Sequence, residues 1–169
     1  KTPLFGGLSV AVPFLLVCAA QLWENPDSAF FATLMIAVAG AFLMGFFDDR
    51  NYLSASTRLL ASVLLIVACL EIMPDFAMMD FNFSFLDGTL PLQPLSTIFT
   101  LLAIVGLLNA MNMTDGIDGL FCGLCLIWVA FLYFYAPPQI SYVLAYLMIF
   151  LLVTLVFNVR GKLFTGDSG

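Results

Sequence analysis

A chain of 169 residues that is 63% hydrophobic, with 18 phenylalanines, only 9% charged residues and a mean hydropathy of +1.09, carries more apolar surface than a soluble core of that size can hide. The bilayer is the solvent this composition demands, so an all-α polytopic membrane protein is expected. Five basic residues stand against eleven acidic ones, giving a net charge of −6, and the absence of histidine argues against a zinc centre.

Six apolar segments are long enough to cross a bilayer at about 1.5 Å per residue. They run approximately over 5–22, 29–47, 57–73, 95–111, 119–136 and 139–158, within a single transmembrane domain spanning 1–169. Polar punctuation separates them: Glu24 to Ser28, then Asp48-Asp49-Arg50-Asn51, then a longer stretch from Pro74 to Pro94, an Asp-Gly row, and Pro137-Pro138. Within the long stretch, Phe81, Phe83 and Phe85 alternate with Asn82 and Ser84 before Asp87-Gly88. Period-two alternation beside Asp-Gly predicts a short amphipathic β-hairpin over about 80–92, at the extracytoplasmic membrane face; an irregular loop is the alternative. Cys18, Cys69, Cys122 and Cys125 all sit inside apolar runs and read as packed helix residues rather than a redox or metal pair.

Alternating spans collect the N-terminus, the 48–56 loop, the 109–119 row and the C-terminus on one face. Lys1, Arg50, Arg58, Arg160 and Lys162 all fall there, while Glu24, Asp27, Glu71, Asp75, Asp80 and Asp87 fall on the other. The positive-inside rule puts the basic face in the cytoplasm, so the polar groups gathered on it are expected to be cytoplasmic.

That same face receives an unusual set of oxygen donors: Asp48, Asp49, Asn109, Asn112, Asp115, Asp118, Asn158 and Asp167. Acids and amides at the end of a membrane span are expensive unless they bind something. Neighbouring carboxylates repel, so several together imply a divalent cation or cationic partners. Oxygen ligands without imidazole or thiolate favour Mg²⁺, or Mn²⁺, shared with a phosphorylated ligand. A solvated helix end is the plain alternative for Asp48-Asp49-Arg50, and a capped polar turn for the row from Asn109 to Asp118. Gly116 and Gly119 are expected to let the backbone leave the helical path and approach a ligand closely. Neither a Walker-type nor a dinucleotide fingerprint is present.

At these residues the chain resembles the polyprenyl-phosphate N-acetylhexosamine-1-phosphate transferases of the glycosyltransferase family 4 superfamily, nearest to their bacterial undecaprenyl-phosphate N-acetylglucosamine-1-phosphate branch. Pro3–Gly7, Gly45–Arg50, Asn109–Leu120 and Phe164–Gly169 match in order, and the resemblance covers essentially the whole chain, hairpin included. It implies transfer of a sugar-1-phosphate from a UDP-sugar, such as UDP-N-acetylglucosamine, to undecaprenyl phosphate, with release of UMP. By position, Asp48 and Asp49 match the paired catalytic acids, with direct single displacement and Asp48 as the base expected, and Asp167 and Asn112 match Mg²⁺ ligands. Asp118 matches the uridine-recognising position, and Asp115, Asn109 and Asn158 match other polar positions of the nucleotide pocket. Arg58 falls where many relatives have a phosphate-facing lysine; it keeps the charge and changes the geometry.

The family continues past Gly169 into further spans and a His-rich cytoplasmic loop, and it has one more span at the start. The chain is therefore expected to be an internal piece, its activity belonging to a longer parent. The implied partners are the two substrates and the bilayer, with no nucleic acid; a homodimer is left open. Two rivals remain at this stage: the UDP-N-acetylmuramoyl-pentapeptide transferase of the same superfamily, and a transporter using the acids as an ion path.

Overall fold

The computed structural model describes residues 6–51, 53–83, 88–114 and 119–161, without the side chains of Asp49, Asn51, Asn112, Met113, Thr114 and Gln139. Among the described residues six helices carry the fold: α1 (Gly6–Glu24), α2 (Ala29–Asn51), α3 (Ala55–Ile72), α4 (Ser96–Thr114), α5 (Leu120–Tyr135) and α6 (Pro138–Asn158). Four of them, α1, α2, α3 and α6, are long and apolar enough to cross a bilayer. Among the described residues, α4 and α5 offer shorter apolar stretches, Ser96–Met111 and Leu120–Tyr135. The helices are apolar around their whole circumference, the pattern of segments surrounded by lipid or by other helices. A helix satisfies its own backbone in a solvent that offers no hydrogen bonds. Among the described residues, every buried side-chain nitrogen and oxygen also has a partner.

Each helix packs on the next in the chain, and α6 closes back on α1, so the six form a ring. Phe14 and Cys18 of α1, Phe31 of α2 and Val143 of α6 make its tightest core. Ser9 Oγ and Thr154 Oγ1, 3.3 Å apart, add a polar tie where α1 begins and α6 ends. Between α2 and α3 the contact is close at Gly40, where a Cβ would stand 2.6 Å from Leu65 Cδ1.

The expected hairpin is present. After a single 3₁₀ turn at Pro74–Phe76, β1 (Asp80–Asn82) pairs antiparallel with β2 (Thr89–Pro91), with Phe81 opposite Leu90. Ser84, Phe85, Leu86 and Asp87 lie outside the described residues. Thr100 seats the approach to the hairpin on α4. Its Oγ1 accepts from Met78 N–H at 2.8 Å and donates to Ser96 O at 2.8 Å. Phe81 meets Phe99 edge to face with ring centres 6.0 Å apart.

One boundary differs from the sequence expectation in a way that matters. The acidic stretch Asp48–Asn51 is not a loop but the last turn of α2. Acids at a helix C-terminus oppose the macrodipole. Arg50 in that turn, its guanidinium 4.8 Å from the Phe46 ring centre, and Arg58 on the next helix offset them.

Because Gly40 lets α2 and α3 approach, Gly40→Leu should force the pair apart. Overpacking of this kind costs about 1–3 kcal/mol, which a lowered thermal midpoint in detergent would register; an unchanged midpoint would mean that Leu65 simply swings aside.

Candidate functional site

Asp48 is the buried acid among the described residues, its side chain only 6% exposed. A carboxylate in such a place needs partners, and both of its oxygens have one. Leu53 N–H donates to Oδ1 at 2.7 Å, and Arg58 Nη1 donates to Oδ2 at 3.0 Å. The first bond closes the turn between α2 and α3. The second reaches one turn into α3, whose start is fixed by Ser54 accepting from Thr57 N–H at 3.2 Å. Charge-assisted bonds of this type are about twice as strong as neutral ones.

Arg58 is more open than its partner, with 37% of its side chain exposed, and it faces a cavity. That cavity, about 590 Å³, lies inside the helix ring, and all six helices contribute to its wall. Asp48, Arg58 and Asn109 line it together, whereas Phe14, Val38 and Leu147 line it from the middle of their helices. The space is therefore polar at one end of the ring and apolar toward the bundle's mid-height.

Of the residues singled out from the sequence, the structure brings Asp48, Arg58 and Asn109 to one cavity. Asn158 is buried at the end of α6, at the same end of the bundle, and its side-chain oxygen accepts from Gly119 N–H at the start of α5. Asp49 lies in α2 and Asn112 in α4, but their side chains are outside the described residues, as are Asp115, Asp118, Gly116 and Asp167 altogether. Among the described residues, no three carboxylates or thiols gather as a metal cage. The oxygen-only donor set at this end, without imidazole, is still the chemistry that suits a hard divalent cation.

Gly119 has a left-handed φ of +80°, as a glycine allows, and a Cβ there would stand 2.7 Å from Val159 Cγ2, just past the end of α6. The backbone N–H of Leu53 and the apolar wall from Phe14, Val38 and Leu147 were not visible from the sequence. A main-chain donor has no residue signature, and the wall exists only because α6 returns to α1.

The described bases gather at one end of the bundle: Arg50, Arg58 and Arg160 stand with Asp48 where α2 and α6 finish and α3 begins, whereas Glu24, Asp27, Glu71, Asp75 and Asp80 stand at the other. Fold and site thus define a multi-pass membrane protein whose polar machinery is gathered at one end of a helix ring. The chain belongs to glycosyl transferase family 4, whose sequence model matches residues 30–169, and so to the membrane phosphosugar transferases that act with polyprenyl phosphate. A search of curated proteins found no match.

The Asp48–Arg58 pair is asymmetric, and its variants should be too. Removing the cation with Arg58→Leu strands a buried carboxylate and should cost about 3–5 kcal/mol. Asp48→Asn keeps an acceptor for Leu53 N–H and should cost about 1 kcal/mol. Thermal unfolding of the two variants side by side checks the order, and a reversed order would contradict the assigned burial.

Proposed function

We propose that the protein containing this chain transfers N-acetylglucosamine-1-phosphate, or a related N-acetylhexosamine-1-phosphate, from a UDP-sugar to undecaprenyl phosphate, starting a lipid-linked cell-envelope glycan. The observation that carries this reading is the cavity itself. An acid–base pair and an amide, brought from three helices, stand at the polar end of a space that continues into hydrocarbon. An amphiphile with a phosphate head and an isoprenoid tail matches that polarity.

In this reading the lipid phosphate oxygen attacks the β-phosphorus of the UDP-sugar. The bond to the bridging oxygen breaks, and UMP leaves. Such transfers need alignment and charge neutralisation more than covalent help. Arg58 holds the lipid phosphate while Asp48, both of whose oxygens are already engaged, holds Arg58. Asp49 therefore takes the place of Asp48, the base expected from the sequence, as the carboxylate assigned to the incoming phosphate. A phosphate monoester is mostly dianionic at neutral pH, so Asp49 removes a proton from only a small fraction and otherwise orients the nucleophile. Asn109, Asp115 and Asp118 belong to the nucleotide side, which Asn158 supports. Asp167 and Asn112 would hold Mg²⁺, or Mn²⁺, which when bound supplies positive charge against the diphosphate.

The basic end of the bundle faces the cytoplasm of a bacterial inner membrane in this proposal, supported by the positive-inside bias of the described arginines. Transporter sites cluster near the bilayer midplane on broken helices. Here the polar groups stand at helix ends, which speaks for the transferase.

The full-length protein, reconstituted with undecaprenyl phosphate and labelled UDP-N-acetylglucosamine, should release UMP, and a chelator should abolish the release until Mg²⁺ is restored. Asp49→Asn should lower kcat by about 10²-fold or more. Competition by UDP-N-acetylmuramoyl-pentapeptide as the better donor would move the assignment to that branch; no UMP from either donor would end it.

A further inference from the structure

Asn158 is 5% exposed, and its side-chain oxygen is committed to the backbone N–H of Gly119, across 39 positions of sequence. Both residues are helix boundaries. Gly119 is the N-cap of α5, its carbonyl accepting from Gly123 N–H at 2.9 Å as the helix starts. Asn158 is the last residue of α6, its own carbonyl accepting from Gly161 N–H at 2.8 Å as the chain turns away. The contact therefore joins the way into one helix to the way out of the next.

Sterics reinforce the bond. The left-handed backbone of Gly119, at φ +80°, brings its α-carbon against α6, where a Cβ would lie 2.7 Å from Val159 Cγ2 and 3.5 Å from Leu155 Cδ1. Any side chain would have to strain the backbone and displace the Val159 side chain at the end of α6. Asp118, the acid matched to uridine recognition, directly precedes Gly119 in the sequence.

We propose that Asn158 is a positioning residue and not a substrate contact: with Gly119 it clamps the start of α5 to the end of α6, and this clamp sets where the donor-side acids are presented. The inference rests on the phosphosugar-transferase reading. A displacement of about 1 Å in a reacting geometry costs on the order of 10²-fold, so a clamp can control donor binding without touching the donor.

The test uses the full-length protein in detergent or vesicles, with Gly119→Ala, Asn158→Leu and the double variant. Each single change should raise KM for the UDP-sugar about 10–100-fold, with KM for the lipid phosphate nearly unchanged. The double variant should be no worse than the worse single one, because both break the same clamp. Val159→Ala, on an exposed residue outside the machinery, should recover part of the loss in Gly119→Ala by making room. Asn158→Asp, which keeps an oxygen at the accepting position, should retain most of the donor affinity that Asn158→Leu loses. Losses that multiply in the double variant, or a Gly119→Ala that Val159→Ala does not help, would overturn the clamp. Thermal unfolding of the same set reads the coupling without any turnover. Coupled unfolding in a wild-type protein that releases no UMP would reject the transferase reading and keep the clamp; an active wild type with additive variants would do the reverse.

Discussion

The buried carboxylate of Asp48 organises the working end of this molecule. Asp48 closes the α2–α3 turn through Leu53 N–H and holds Arg58 through its other oxygen. Without those bonds an acid at the C-terminal end of an apolar helix would be paid for twice, by desolvation and by the helix dipole. With them it becomes a brace. The same two contacts set the mutual height of α2 and α3 and leave a half-buried guanidinium at the edge of the cavity.

The bilayer dictates the rest. Polar groups along a lipid-facing helix are costly, so the hydroxyls inside the bundle are turned back on the fold. Thr33 donates to Ala29 O at 2.8 Å, and Ser62 to Arg58 O at 2.9 Å. Charges are left to the ends. A ring of helices then encloses a space that no seventh element of the described residues fills, and that space is polar only where it approaches the Asp48 end. The pairing of a charged mouth with an apolar interior follows from topology: successive helices run in opposite directions, so the ends of α2, α4 and α6 meet the starts of α1, α3 and α5.

Much of this was legible in the sequence because hydrocarbon imposes simple rules. Runs of about 20 apolar residues can do little else than span, and alternating phenylalanines before Asp87-Gly88 announced the hairpin that β1 and β2 form. The end of α2 was not legible. Asp48 to Asn51 look like a loop by composition, and the Leu53 N–H that lets the helix continue is a main-chain group five residues on. The packing role of Gly119 was not legible either: the side chain that its missing Cβ makes room for is Val159, just past the end of α6 and 40 positions along the chain. The acids matched through Asp115, Asp118 and Asp167 rest on motif spacing, while Asp48, Arg58 and Asn109 converge in space as well.

Sidedness offers the most direct test, since the whole account requires the Asp48 turn and the start of α5 to share one membrane face. In a version with the four native cysteines replaced, single cysteines at Ser56 and Leu120, both exposed, would be labelled with an impermeant maleimide in sealed vesicles of known orientation. Both should react from the cytoplasmic side only, while cysteines at Asn25 and Asp80 react from the other. Ser56 and Leu120 reacting from opposite sides would contradict the shared site outright.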